Sequence, residues 1–219
     1  TVPTKVARFD RWTRVQDMRV EGRYGYIAAF DVARNWWSLD VVDLRDKSAP
    51  IEVGSVRLPG APVRAAVDRG YAYVATAEAG LRIVDVRDPG APREVSAVTV
   101  PGVSRYNDVV VAAGLAFIGV ISDNPAGGYF GTVWTTDVTD PTNPGPVRAV
   151  DGLVGRYVHD LAADGDLVSG HVTGAVFTAA GDLVMYFSID DGTGFHFGQT
   201  RPIRNDTNDI SFGHTQHLP

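Results

Sequence analysis

The sequence predicts an all-β protein: a β-propeller of four-stranded antiparallel blades, with about five blades or as a fragment of a larger ring. Three observations carry that expectation. The stretch LDVVDLRDKSAPIEVGSVRLPG at 39–60 returns as LRIVDVRDPGAPREVSAVTVPG at 81–102, so that Leu39, Asp43, Asp46, Pro50 and Pro59 reappear as Leu81, Asp85, Asp88, Pro92 and Pro101. The motif aspartate comes back a third time as Asp137. Between these marks apolar and polar residues alternate with a period of two, broken by 24 glycines and 13 prolines, and no stretch shows a helical rhythm of 3.6.

In chain order, residues 3–9 come first, with Pro3 in the place of Pro50 and Val6 in that of Val53. They read as the outer strand of another blade. DMRVEGRYGYIAAF at 17–30 forms two strands about a glycine turn and leads into the first copy of the motif. RAAVDRGYAYVATAEAG at 64–80 does the same ahead of strands at 81–86 and 93–100. DVVVAAGLAFIG at 108–119 precedes VWTTDVTDPTNPGPVRAV at 133–150, and HDLAADGDLVSG at 159–170 precedes DLVMYFSIDDG at 182–192. The repeats fall near 14–56, 61–100, 104–150 and 156–200, in a single domain spanning 1–219. Residues 3–9 and 201–219 are left for a closing or incomplete blade.

A four-stranded sheet of about 42 residues cannot cover both of its own faces, so it must stack on its neighbours. A period in this range points to sheets set radially. A sandwich gives its hairpins no reason to repeat one another, and a β-helix has shorter coils. In DVRDPGAP the prolines fix φ and remove donors as the chain leaves its strand, while the aspartates accept bonds from turn amides.

GLRIVDVRDPGAPREV, with the preceding VDRGYAYVA, resembles the LVIVD repeat family. The likeness is strongest over 64–102, good over 17–60, recognisable over 108–150 and weak after 159. It implies a β-propeller and an exported, periplasmic or cell-surface location. It implies no shared catalytic residues.

Composition narrows the partners. The formal charge is −6 with no basic cluster, which argues against nucleic acid. No apolar run approaches the roughly 20 residues of a membrane span. The absence of cysteine removes disulfides, thiolate catalysis and Cys-ligated zinc. No signal peptide is visible in the chain as given, and Asn205-Asp206-Thr207 matches a glycosylation triplet that chance also produces. No nucleophile elbow, Walker sequence or dinucleotide fingerprint is present.

Propeller geometry converts the repeat into a map of candidate sites. The connections between second and third strands, placed at 31–38, 121–130 and 171–181, should share one face, with the Asp-Pro turns on the other. Trp36 and Trp37 are the largest apolar groups on that face, joined by the aromatic pair Tyr129 and Phe130. Arg14, Arg64, Arg105 and Arg156 recur at the starts of the first strands, beside Asp17, Asp108 and Asp160. They form either a ligand-binding mouth or a salt-bridge network holding blades together. His159 and His171, with His214 and His217, are the candidate ligands of a divalent metal, the one cofactor worth considering, although no recognised spacing is present. DDGTG at 190–194 and NDTND at 205–209 offer oxygen ligands without the spacing of an EF-hand. The expected function is a noncatalytic binding or scaffold module that presents loops to a protein or glycan. The alternatives are a metal-dependent hydrolase or lyase using the histidines, and a structural component of a larger cell-surface assembly.

Overall fold

The computed structural model describes residues 8–112, 114–123, 129–149, 158–164, 171–178, 183–190, 194–197 and 201–202. The alternating stretches fold as strands, which pair antiparallel with their neighbours in sequence. The first sheet takes β1 (Trp12–Glu21), β2 (Tyr24–Asp31), β3 (Trp36–Asp43) and β4 (Ile51–Arg57) in that order. The second takes β5 (Pro62–Asp68), β6 (Tyr71–Thr76), β7 (Gly80–Asp85) and β8 (Arg93–Val98). The third has β9 (Arg105–Ala112), β10 (Leu115–Asp123), β11 (Tyr129–Asp137) and the short β12 (Arg148–Ala149). The fourth runs β13 (Val158–Asp164), β14 (His171–Thr178), β15 (Leu183–Asp190) and β16 (Gly194–Phe197), and β17 (Arg201–Pro202) also pairs with β15. The expected fold class, a β-propeller of four-stranded antiparallel blades, is borne out.

The Asp-Pro punctuation acts as two consecutive Asx turns. Asp43, Asp85 and Asp137 each accept the backbone amide two residues on, from Arg45 at 2.8 Å, Arg87 at 3.1 Å and Thr139 at 2.8 Å. Asp46, Asp88 and Asp140 repeat the move with Ser48, Gly90 and Thr142 at 2.9, 3.0 and 3.0 Å. Each turn is closed by a backbone bond to the carbonyl of its second aspartate, from Ala49, Ala91 and Asn143.

Each first strand also carries a β-bulge. The register slips between Val15 and Asp17, between Pro62 and Arg64, at Asn107, and between Val158 and Asp160. The extra residue therefore always stands just before the recurring charged position.

The chain divides into two compact units, Thr1–Thr99 with Asp140–Pro144, and Val100–Thr139 with Gly145–Pro219. In the first unit, one face of the first sheet, carrying Tyr26, Ala28, Leu39 and Val41, packs on Ala65, Ala72, Val74 and Val84 of the second. Burying each of the larger side chains contributes about 1.5–3 kcal/mol. A polar stitch joins the same two sheets: Asp17 Oδ2 accepts the Ala65 amide at 2.8 Å and Arg19 Nε donates to the Ala65 carbonyl at 2.7 Å. The second unit buries Val109, Ala116, Ile118 and Val133 and uses the same stitch, Asp108 accepting the Leu161 amide.

Two expectations about connections are corrected. Residues 171–178 are β14 itself, because β13 ends at Asp164, so the connection to β15 is confined to 179–182. The insertion at 121–130 is narrower than its composition suggested, since β10 continues to Asp123 and β11 begins at Tyr129.

Candidate functional site

The most completely built polar site lies on the first sheet, beside the connection from β2 to β3. Val32 to Asn35 form a turn whose Asn35 has φ +55°, a left-handed conformation that asparagine tolerates better than most residues. Asp31 Oδ1 accepts the Arg34 amide at 3.0 Å, and the Arg34 side chain then folds back over the sheet. Its Nη1 donates to Asp31 at 3.0 Å and to Ser55 Oγ at 3.0 Å, and lies 3.5 Å from Asp40 Oδ1, while its Nη2 lies 3.4 Å from Glu52.

Arg11 reaches the same carboxylates from the approach to β1, through Nε to Asp31 at 3.1 Å and through Nη1 to Glu52. Trp12 Nε1 donates to Asp40 Oδ2 at 2.6 Å, and Ser38 Oγ donates to the same oxygen at 2.8 Å. Asp31, Ser38 and Asp40 are fully buried. Register explains the grouping: Asp31 faces Trp36, Ser38 faces Arg57, and Asp40 faces Ser55, so all of these side chains share one face of the sheet.

Burial alone would raise the Asp31 pKa. The Arg11 hydrogen bond, the Arg34 amide and both guanidinium charges outweigh it and hold the carboxyl below the ordinary carboxylate range. The Arg11 pKa is raised in turn, since the pull of Asp31 and Glu52 exceeds its own desolvation. Each of the three carboxylates thus has a guanidinium partner, and the two guanidiniums leave the cluster with one negative charge in excess. Such a cluster is suited to holding a surface rigid rather than to proton transfer.

What it holds rigid is an aromatic edge. Trp36 and Trp37, expected in a loop, open β3, and as strand neighbours they point to opposite faces. Trp37 packs against the core shared with the second sheet and meets Phe30 edge-on at 5.2 Å. Trp36 lies on the face of the charged cluster, half-buried, beneath the Arg57 guanidinium at 5.6 Å, and its buried Nε1 has no protein partner.

The first-strand charges separate into different environments. Arg14 and Arg105 are exposed, and Arg64 stands 4.0 Å from Asp17. Asp17 and Asp108 are taken up by the stitches between sheets. Asp160 faces Phe177 in β13, and Arg156 lies outside the described residues. Tyr129 opens β11 opposite Asp123, with Phe130 opposite Ser122.

Of the four candidate histidines, His159 and His171 lie in described strands. His159 is the bulged residue near the start of β13, beside the Phe177 end of β14, whereas His171 begins β14 at its other end, opposite Asp190. About six residues of strand, or roughly 20 Å, separate them. His214 and His217 lie outside the described residues, as does NDTND. Among the described residues no group of three His, Cys, Asp or Glu is placed to hold a metal ion.

Two features escaped sequence reasoning. One is the pair Asp31 and Asp40, of which Asp40 was signalled by an acid inside the apolar run LDVV. The other is a cleft of about 350 Å³ at the opposite end of the first sheet, lined by Glu21, Arg23, Tyr24, Tyr26, Val86 and Arg87. Both of its guanidiniums are engaged, Arg87 with Asp85 and Arg23 with Tyr24.

Comparison with known proteins agrees with the repeat and the fold. The LVIVD repeat profile matches residues 14–57 and 60–100. No curated protein sequence matches the chain. Among solved structures, a chain of the Saccharomyces cerevisiae Dbp5 complex with Nup159, Gle1, IP6 and ADP is 10% identical with a TM-score of 0.53, over 84% of this chain and 51% of that one. A puromycin-hydrolysing peptidase of Mycobacterium tuberculosis is 15% identical with a TM-score of 0.53, over 88% of this chain and 32% of that one. The chain thus spans about half and about a third of those two structures, and at such identities the likeness is one of fold alone.

Proposed function

Because residues 14–57 and 60–100 are consecutive LVIVD repeats, we propose that the chain is a noncatalytic propeller module, exported or held at the cell surface, that binds a protein or glycan. Its binding surface is the edge where β2 passes to β3. The observation that carries this reading is Trp36, a half-buried indole beneath Arg57 with no protein partner for its Nε1, at the margin of a cluster whose charges are already satisfied. An indole face beside a guanidinium suits stacking on a sugar ring or insertion into a protein pocket, and the fixed turn below it keeps the entropic cost of binding small.

The test uses the whole chain, fluorescently labelled, against an immobilised glycan panel and against intact envelope preparations. Binding should be saturable and should fall at least about tenfold in Trp36→Ala, with an unchanged circular dichroism spectrum. Equal binding by the variant would move the site elsewhere. The absence of saturable binding on either probe would remove the reading.

A further inference from the structure

Val15, Met18 and Val20 on β1 are 54%, 55% and 57% exposed. Their register partners are Ala29, Ile27 and Gly25, so all three lie on the face of the first sheet that points away from the second. Beside them, Ile27, Ala29 and Val42 are covered by Phe9, Trp12 and Leu44.

The corresponding face of the second sheet is an interface. Asp17 faces Ala28 as Arg64 faces Ala75, which places Met18 where the second sheet has Ala65, Ile27 where it has Val74, and Val42 where it has Val84. Ala65, Val74 and Val84 are all buried under the first sheet, and the Ala65 amide is the one taken by Asp17. Asp108 takes the Leu161 amide at the same place in the second unit. In both units, then, a sheet receives the sheet before it on this face. On the first sheet the other half of the face carries Asp31, Asp40, Glu52, Arg11 and Arg34, paired among themselves, so each carboxylate keeps a guanidinium partner when the face is covered.

We propose that this face of the first sheet receives another four-stranded sheet of the same repeat, joined to β1 on its N-terminal side, whose first-strand aspartate takes the Met18 amide as Asp17 takes that of Ala65. Trp36 stands on this same face at its β2–β3 end, so the incoming sheet covers the cluster beside it; the proposal does not rest on binding at Trp36.

A chain extended by a copy of residues 10–57 ahead of Arg8, with Met18→Leu in the copy alone, supplies such a sheet. Peroxide oxidation of the original Met18, followed by peptide mass, should be at least about tenfold slower than in the unextended chain. Asp17→Ala in the copy should restore part of the rate. Equal rates in the extended and unextended chains overturn the proposal. So does slow oxidation of Met18 in the dilute unextended chain, which would mean that the chain already covers the face. Protection that appears in the unextended chain only at high concentration would assign the face to a second copy, and also overturns it. Should the extended chain fail to fold, Met18→Glu in the unextended chain decides. An open face predicts a melting temperature within about 2 °C of the parent, and a larger loss rejects it.

Discussion

Asp40 sits in the middle of an apolar strand, fully buried, with oxygens bonded to Trp12 and Ser38 and within reach of Arg34. A buried carboxylate is tolerated only when its partners are all present, and removing it leaves the Trp12 indole N–H and the Ser38 hydroxyl without their acceptor. Asp40→Ala is expected to cost about 2–4 kcal/mol in urea unfolding. Asp40→Asn, which keeps the acceptor for Trp12, should cost roughly half as much, and near-equal losses in the two variants would show that the charge rather than the hydrogen bonds matters. The Trp12 fluorescence should report the same difference, since its Nε1 bond survives only in the second variant.

At the scale of the element, the fourth strands hold the next turn in place. A Cβ on Gly54 would lie 2.1 Å from the Pro89 carbonyl oxygen and 2.7 Å from Pro92 Cδ, so β4 approaches the second Asp-Pro turn as only glycine allows. One repeat later the residue is Ser96, whose Oγ donates to the Pro141 carbonyl at 2.5 Å. The same contact is thus made once by the absence of a side chain and once by a hydroxyl. Gly54→Ala forces backbone apart from backbone and is expected to cost about 1–3 kcal/mol by urea denaturation, whereas Ser96→Ala should cost about 1 kcal/mol. The first strands supply the other joint. Asp17→Ala leaves the Ala65 amide without its acceptor, with an expected loss of about 1–3 kcal/mol, and an unchanged stability would mean that water replaces the stitch without penalty.

At the scale of the whole molecule, what was legible in the sequence is what the chain repeats. Strand alternation, the glycine reversals and the Asp-Pro turns recur because each blade meets the same local demands, so their copies reinforce one another on the page. The charged cluster was not legible, because Arg11, Asp31, Arg34, Asp40 and Glu52 come from four separate segments of one sheet and repeat nowhere else in the described residues. The histidines show the opposite case: composition alone grouped them, while the register of β13 and β14 sets His159 and His171 at opposite ends of that pair.

The repeated turns have a collective consequence in acid. Hydrogen bonds from Ser48, Thr139 and Thr142 lower the pKa of Asp46, Asp137 and Asp140. The Arg87 side chain lowers that of Asp85, against its burial, with help from the Arg87 amide and Arg93. A carboxyl whose folded pKa lies below its unfolded value of about 4 stabilises the fold above that value, and the contribution is lost as pH falls through the folded pKa. Stability to urea should therefore decline as pH falls below about 4, through the folded pKa values of these carboxyls. Asp85→Asn should make the decline shallower while lowering stability at pH 7. An equally steep decline in that variant would place the acid sensitivity outside the Asp85 turn, in the Asp31 cluster, where the lowered carboxyl has the same sign.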